Sequence, residues 1–195
     1  MWTHLDNYQI ILASNSPRRK ELLGGLGLSY EVKTLPNIDE SFPEGLPGEE
    51  IPIYISREKA EAYRSLMKKN ELIITADTIV WLEGQVLGKP KDAADARRML
   101  HLLSGRTHQV ITGVCITTLT AQCSFSTSTD VTFANLSDDE IDYYVDHYKP
   151  MDKAGAYGIQ EWIGFVGVEH IDGSYFNVMG LPVQRLYKEL KAFKG

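Results

Sequence analysis

Two short apolar runs, residues 9–13 (QIILA) and 72–76 (LIITA), constrain this chain more than any other feature. Neither run has a polar side, so each reads as a strand buried on both faces. Each is followed at once by polar residues, Ser14-Asn15-Ser16-Pro17 after the first and Asp77-Thr78 after the second. In open sheets that carry helices on their faces, ligands collect beyond such strand ends.

The segments between and after these runs mix helix and strand signals. Ser16 followed by Pro17 marks a helix start, and Gly24-Gly25 marks its stop. Residues 29–34 read as a strand. Residues 35–50, rich in proline, glycine and acidic side chains, read as an exposed loop. A helix is expected over 51–68, with a buried face through Ile55, Lys59-Ala60, Ala62-Tyr63 and Leu66-Met67. The second apolar strand is expected to end at Asp77-Thr78. Residues 79–87 then form a short hairpin turning at Glu83-Gly84, and Gly88-Lys89-Pro90 is a tight connection. Asp92 caps a helix over 93–103 that stops at Ser104-Gly105. Residues 110–118 and 125–133 alternate as paired strands do. Ser137 and Glu140 form a capping box that opens a helix to about His147. Residues 157–178 read as loops and short strands, and Pro182 begins a last helix through Phe193. The sum is an α/β fold around a mixed sheet, not a regular doubly wound one.

Composition sets outer limits. With 195 residues the chain buries roughly 70% of its unfolded surface, so the core needs no cross-links. The net charge of −6, with no basic stripe, argues against a nucleic-acid partner. It does not argue against a phosphate site, because local arrangement sets the field in a cleft. Cys115 and Cys123 stand without a CxxC or a histidine cluster and read as reduced thiols rather than zinc ligands. The start MWTHLDNYQ lacks the pattern of a leader, and no apolar stretch is long enough to span a membrane. The cytoplasm is the expected compartment.

Several residues could carry chemistry. Ser14 and the pair Arg18-Arg19 flank a helix N-terminus, where unpaired N–H groups, hydroxyls and guanidinium groups suit phosphate oxygens. The same residues would also serve as an ordinary cap and a solvated basic turn, and the segment lacks the Walker pattern. Asp77 could bind a metal, accept a proton from water, or simply cap a turn. Lys89 projects from a rigid Gly-Lys-Pro turn, either as a compact charge for phosphate or as an ordinary exposed turn lysine. Lys59 lies on a mostly apolar helix face, which calls for a partner unless it snorkels. Glu40 is the loop carboxylate best suited to a metal, and it reads equally as a solvated loop charge. Gln160, in a glycine-rich stretch, offers both a donor and an acceptor to the edge of a base. His4, His101, His108, His147 and His170 fit no nucleophile or metal pattern and read as structural or exposed.

Six segments, taken together and in order, resemble the Maf family of nucleoside triphosphate pyrophosphatases. They are SNSPRRKELL at 14–23, ADTIV at 76–80, GKPKD at 88–92, LSGRTHQVITGV at 103–114, DKAGAYGIQ at 152–160 and VMGLPV at 178–183. The resemblance implies one domain over the whole chain, with residues 1–8 as a short N-terminal extension. It implies a fold like the inosine triphosphatases, with two lobes around a central cleft, and a possible association of two copies into a homodimer. It implies hydrolysis of a small nucleotide to a monophosphate and pyrophosphate, aided by Mg²⁺ or Mn²⁺ on Glu40 and Asp77. In that scheme Asp77 accepts the proton, and Ser14, Arg18, Lys59 and Lys89 handle phosphate. Arg19, Thr78 and Gln160 match the positions linked to base selection, and this set resembles the branch acting on dTTP and UTP. The alternatives are a 7-methyl-GTP preference, a phosphatase releasing orthophosphate, and a regulatory nucleotide-binding protein of septum formation.

Overall fold

The first apolar run becomes strand β1 (Gln9–Leu12) in a computed structural model that describes residues 2–194. Helix α1 (Pro17–Gly24), strand β2 (Tyr30–Val32) and helix α2 (Glu50–Arg64) follow, and the second run opens strand β3 (Glu71–Leu82). Strand β1 lies parallel to both neighbours, with Ile10 opposite Tyr30 on one side and Leu72 on the other. Ile11, Leu12, Leu72 and Ile74 are fully buried, as strands without a polar face must be. The expected loop is irregular from 33 to 49, and α2 stops at Arg64, short of residue 68.

Strand β3 corrects one expectation. It does not end at Asp77-Thr78 but runs on to Leu82, because Ile79, Val80 and Leu82 are buried and continue the strand. Asp77 is therefore held in mid-strand rather than in a turn. The chain then reverses at Glu83 and Gly84, whose φ values of 48° and 86° give the left-handed turn that matches strand twist. Strand β4 (Gln85–Leu87) returns antiparallel, with Val80 opposite Leu87.

The rest comprises α3 (Ala93–Leu103), β5 (Thr107–Thr117), β6 (Gln122–Phe133), α4 (Asp138–Tyr148), α5 (Trp162–Gly167), β7 (Val168–Asp172), α6 (Tyr175–Met179) and α7 (Val183–Ala192). The mixed seven-stranded sheet has the order β2-β1-β3-β5-β6-β7, with β4 also on β3. Residues 2–77, 112–127 and 180–194 form one compact unit, and 78–111 with 128–179 form a second. Strands β3, β5 and β6 contribute residues to both.

In the first unit, α2 lies against the sheet at a position that only glycine allows. A Cβ on Gly113 would fall 2.2 Å from the Pro52 backbone. The buried Thr75 hydroxyl donates to the Ser56 carbonyl at 2.6 Å, joining β3 to α2. At the N-terminus, Trp2 packs edge-on against Tyr187 and donates to the Leu26 carbonyl, and a His4 ring nitrogen meets the Leu190 carbonyl at 2.8 Å. Cys115 and Cys123 are both free, and burial pushes both thiols up, so they stay protonated.

In the second unit, Asp92 caps α3 through Asp95 N, and Ser137 with Glu140 forms both bonds of the capping box on α4. Arg97 joins the two helices through Asp142 and Asp146. Residues 157–178 hold two short helices as well as β7. A Cβ on Gly164 would sit 1.7 Å from the Ile159 carbonyl oxygen, so the start of α5 is packed where only glycine fits. Among the described residues, no helix is long and apolar enough to cross a membrane.

The Gly113 contact predicts that Gly113→Ala destabilises the protein by at least about 1–3 kcal/mol, the usual cost of overpacking. Urea denaturation checks this, and an unchanged midpoint would show that α2 can shift freely.

Candidate active site

Lys59 and Asp77 meet because the elements carrying them are already joined one step away. Ser56 and Lys59 are three residues apart and share a face of α2. Thr75 and Asp77 are two apart and share a face of β3. The Thr75–Ser56 bond fixes the pairing, and the next pair along is Lys59 Nζ on Asp77 Oδ1 at 2.8 Å. These side chains are 11% and 13% exposed, so the ion pair is largely withdrawn from water. The lysine that looked out of place on an apolar face therefore has its partner.

Glu40 reaches the same ammonium, with Oε1 at 2.8 Å from Lys59 Nζ, although its side chain is 47% exposed. The loop that carries it is fixed at its root. Tyr63 is one turn past Lys59, and its hydroxyl donates to the Lys33 carbonyl and accepts from Leu35 N at 2.9 Å. Leu35 and Ile38 pack on the buried cluster of Ile11, Tyr63 and Ile73. Asp39 then accepts from both the backbone N and the hydroxyl of Ser41 at 2.8 Å, which bends the chain around Glu40. Those two bonds hold the Asp39 carboxyl below its usual range. Sequence reasoning did not single out Tyr63, Asp39 or Ser41. The Asp-x-Ser spacing was the available signal for the turn.

Ser16 caps α1 by accepting from Arg19 N, and Ser14 Oγ accepts from Ser16 N at 3.2 Å. Ser14 thus supports the turn into the helix. Arg19 donates from Nε to the Gly180 carbonyl at 2.8 Å and from a terminal nitrogen to the Ala76 carbonyl at 2.9 Å. It is anchored to backbone next to Asp77. Burial lowers its pKa, Asp77 opposes that, Arg18 adds repulsion and Glu40 opposes it again. An arginine stays cationic through all of this. Arg18, Arg19, Lys59, Glu40 and Asp77 thus form one local charge group in the first unit.

Lys89, Thr78 and Gln160 belong to the second unit. Lys89 is exposed at the end of the β3–β4 hairpin and Thr78 is half-buried in β3. Gly155, at φ 66°, donates from its N to the Gly88 carbonyl at 3.0 Å, tying the glycine-rich stretch to the residue before Lys89. Gln160 Oε1 is buried without a hydrogen-bond partner. His108 is buried in a cluster of mutually perpendicular rings with Phe133 and Tyr157, and its Nε2 lies 2.7 Å from the Tyr157 hydroxyl. Burial pushes its pKa down to about 4, so the ring is neutral and structural.

The residues present fit a divalent cation only in part. Glu40 and Asp77 each present an oxygen 2.8 Å from one ammonium, so those oxygens lie within twice that distance of each other. Among the described residues, no group of three or more His, Cys, Asp or Glu side chains could hold a metal. Two carboxylates completed by substrate phosphates is a pattern Mg²⁺ accepts.

A family model described as Maf-like protein matches residues 9–193. The dTTP/UTP pyrophosphatase of Phocaeicola vulgatus is 71% identical over 191 residues, covering 98% of this chain and 99% of that one. The protein of the same name from Bacteroides fragilis strain YCH46 is 67% identical, with the same coverage. Among solved structures, a HAM1 protein from Coxiella burnetii aligns over 95% of this chain and 100% of its own, at 16% identity and a TM-score of 0.49.

The depressed His108 pKa has a signed consequence. Below pH 6.5 the unfolded chain takes up a proton that the folded one refuses until about pH 4. Stability is therefore expected to fall as pH drops through that window, by about 3 kcal/mol at most. Urea midpoints between pH 7 and pH 4 check this, and His108→Gln should flatten that part of the slope.

Proposed function

This chain belongs to the Maf family, and on that premise we propose that it hydrolyses dTTP and UTP to the nucleoside monophosphate and pyrophosphate. The observation that carries the reading is the Lys59 ammonium between Asp77 and Glu40, in the same charge group as Arg18 and Arg19. Cations on α1 and α2 that suit a polyphosphate stand together with a carboxylate on β3 that suits water.

The chemistry assigned to each residue is as follows. Arg18, Lys59 and Lys89 offset charge on the polyphosphate, which grows on the departing pyrophosphate as the α–β bond breaks. Asp77 takes the proton of the water that attacks the α-phosphorus, a role worth about 10²–10⁴-fold. While Lys59 holds Asp77, that carboxylate is engaged. A phosphate oxygen that draws the ammonium away leaves Asp77 free to act on water. Ser14 supports the helix N-terminus that faces the anion. A divalent cation held by Glu40 and Asp77 with the substrate would neutralise phosphate charge, and because a metal-held Asp77 is a poor base, its two roles compete.

Base choice is assigned to Gln160, Thr78 and Arg19. The unpartnered Gln160 Oε1 supports this for Gln160, because uracil and thymine each present an imide N–H beside a carbonyl. Arg19, with donors already on the Ala76 and Gly180 carbonyls, contributes by holding its region in shape as well as by charge.

UTP should yield UMP and pyrophosphate, and a chelator should stop the reaction. Orthophosphate as the first product would overturn the assignment. Asp77→Asn should lower kcat by at least about 10²-fold while the protein stays folded. Near-normal turnover in that variant would remove Asp77 from the chemistry. Gln160→Ala should change the ratio of kcat/KM between UTP and a purine triphosphate. Equal loss on every nucleotide would show that Gln160 does not read the base.

A further inference from the structure

We propose that Tyr144, Glu161 and Lys153 are positioning residues that set the orientation of the Gln160 amide, so that base selectivity depends on a buried network behind the residue that reads the base. This rests on the assignment of Gln160 to the base.

The network closes around Gly158. Lys153 Nζ lies 3.1 Å from Glu161 Oε1 and 2.9 Å from Asp152 Oδ1. The other Glu161 oxygen accepts from the Tyr144 hydroxyl, which itself accepts from Gly158 N at 3.0 Å. Glu161 N in turn donates to the Gly158 carbonyl at 2.9 Å. Tyr144 is fully buried on α4 and stacks on Tyr148. The Lys153 and Glu161 side chains are 9% and 20% exposed, so these bonds act in a medium of low dielectric.

Gly158 leaves open the space beside which the Gln160 amide and the network side chains lie. A Cβ there would stand 3.0 Å from Gln160 Nε2, from Glu161 Cδ and from Lys153 Cε. Three side chains converge on one bare Cα, and one of them is Gln160. Its Nε2 end lies beside Gly158, and its Oε1 end is buried without a donor. An unmatched buried acceptor is unfavourable, and a ligand donor would relieve it. The amide is held in an arrangement that serves a ligand rather than the resting protein. Gly155 completes the support from below. Its φ of 66° lets it sit against Val80, where a Cβ would come within 2.7 Å of a methyl group.

The test uses the whole chain and steady-state pyrophosphate release from UTP, dTTP and GTP. Tyr144→Phe keeps the ring and removes only the hydroxyl that joins Glu161 to Gly158. Glu161→Gln keeps the shape and removes the charge that holds Lys153, and it carries the test if the first variant does not fold. Each is expected to raise KM for UTP and dTTP about tenfold at nearly unchanged kcat, and to cut the preference over GTP by the same factor. A preference within twofold of the wild type in both variants, or an equal loss on all three nucleotides, overturns the proposal. Failure of the wild-type protein to release pyrophosphate from UTP and dTTP overturns the parent assignment instead.

Discussion

A lysine set in the apolar face of a helix is stable only if something opposite in charge waits for it. The pairing of Lys59 with Asp77 is that condition, and much of the first unit serves it. Gly113 lets α2 come close, and the Thr75–Ser56 bond sets its register on β3. Once those are in place, the ion pair is the next contact along both elements. Asp77 is placed in mid-strand, where the backbone cannot drift as a turn residue can. A reacting carboxylate gains from that rigidity, because small displacements of catalytic groups are costly in rate.

The second unit solves a related problem by different means. Gln160 sits in a stretch with three glycines nearby and little regular structure to hold it. Rigidity there comes from side chains: Tyr144, Glu161 and Lys153 tie the stretch from behind, and Gly155 packs it against Val80. The neighbouring ring cluster of His108, Phe133 and Tyr157 adds apolar mass. A neutral histidine is tolerated in that cluster because its Nε2 meets a hydroxyl.

What could be read in the sequence was what depends on local or periodic signals. The buried strands, the Ser16, Asp92 and Ser137 caps, the Glu83-Gly84 turn and the odd position of Lys59 all announce themselves within a few residues. Asp77-Thr78 misled because polar residues after an apolar run look like a strand end, and only the pairing with neighbouring strands carries β3 through them. Helices α5 and α6 were missed because six and five residues cannot display a helical period. Tyr63 reads only as part of a buried helix face, and Tyr144 carries no local signal. Their hydroxyl partners lie 28 and 17 residues away along the chain, a distance over which sequence pattern carries no geometric information. The motif around Gln160 was legible as a resemblance, but the ring of side chains behind it was not.

The two carboxylates that share Lys59 differ in a way that sets how the site can change. Asp77 belongs to the sheet. Glu40 rides on an exposed loop whose firm anchorage ends near Ile38, and its side chain is nearly half exposed. An ion pair that open to water is worth about 1 kcal/mol or less, so the Glu40 contact adds little to the hold that Asp77 has on the ammonium. One acid is built into the sheet, and the other is carried to the ammonium by a loop that the Tyr63 hydroxyl ties down at Lys33 and Leu35.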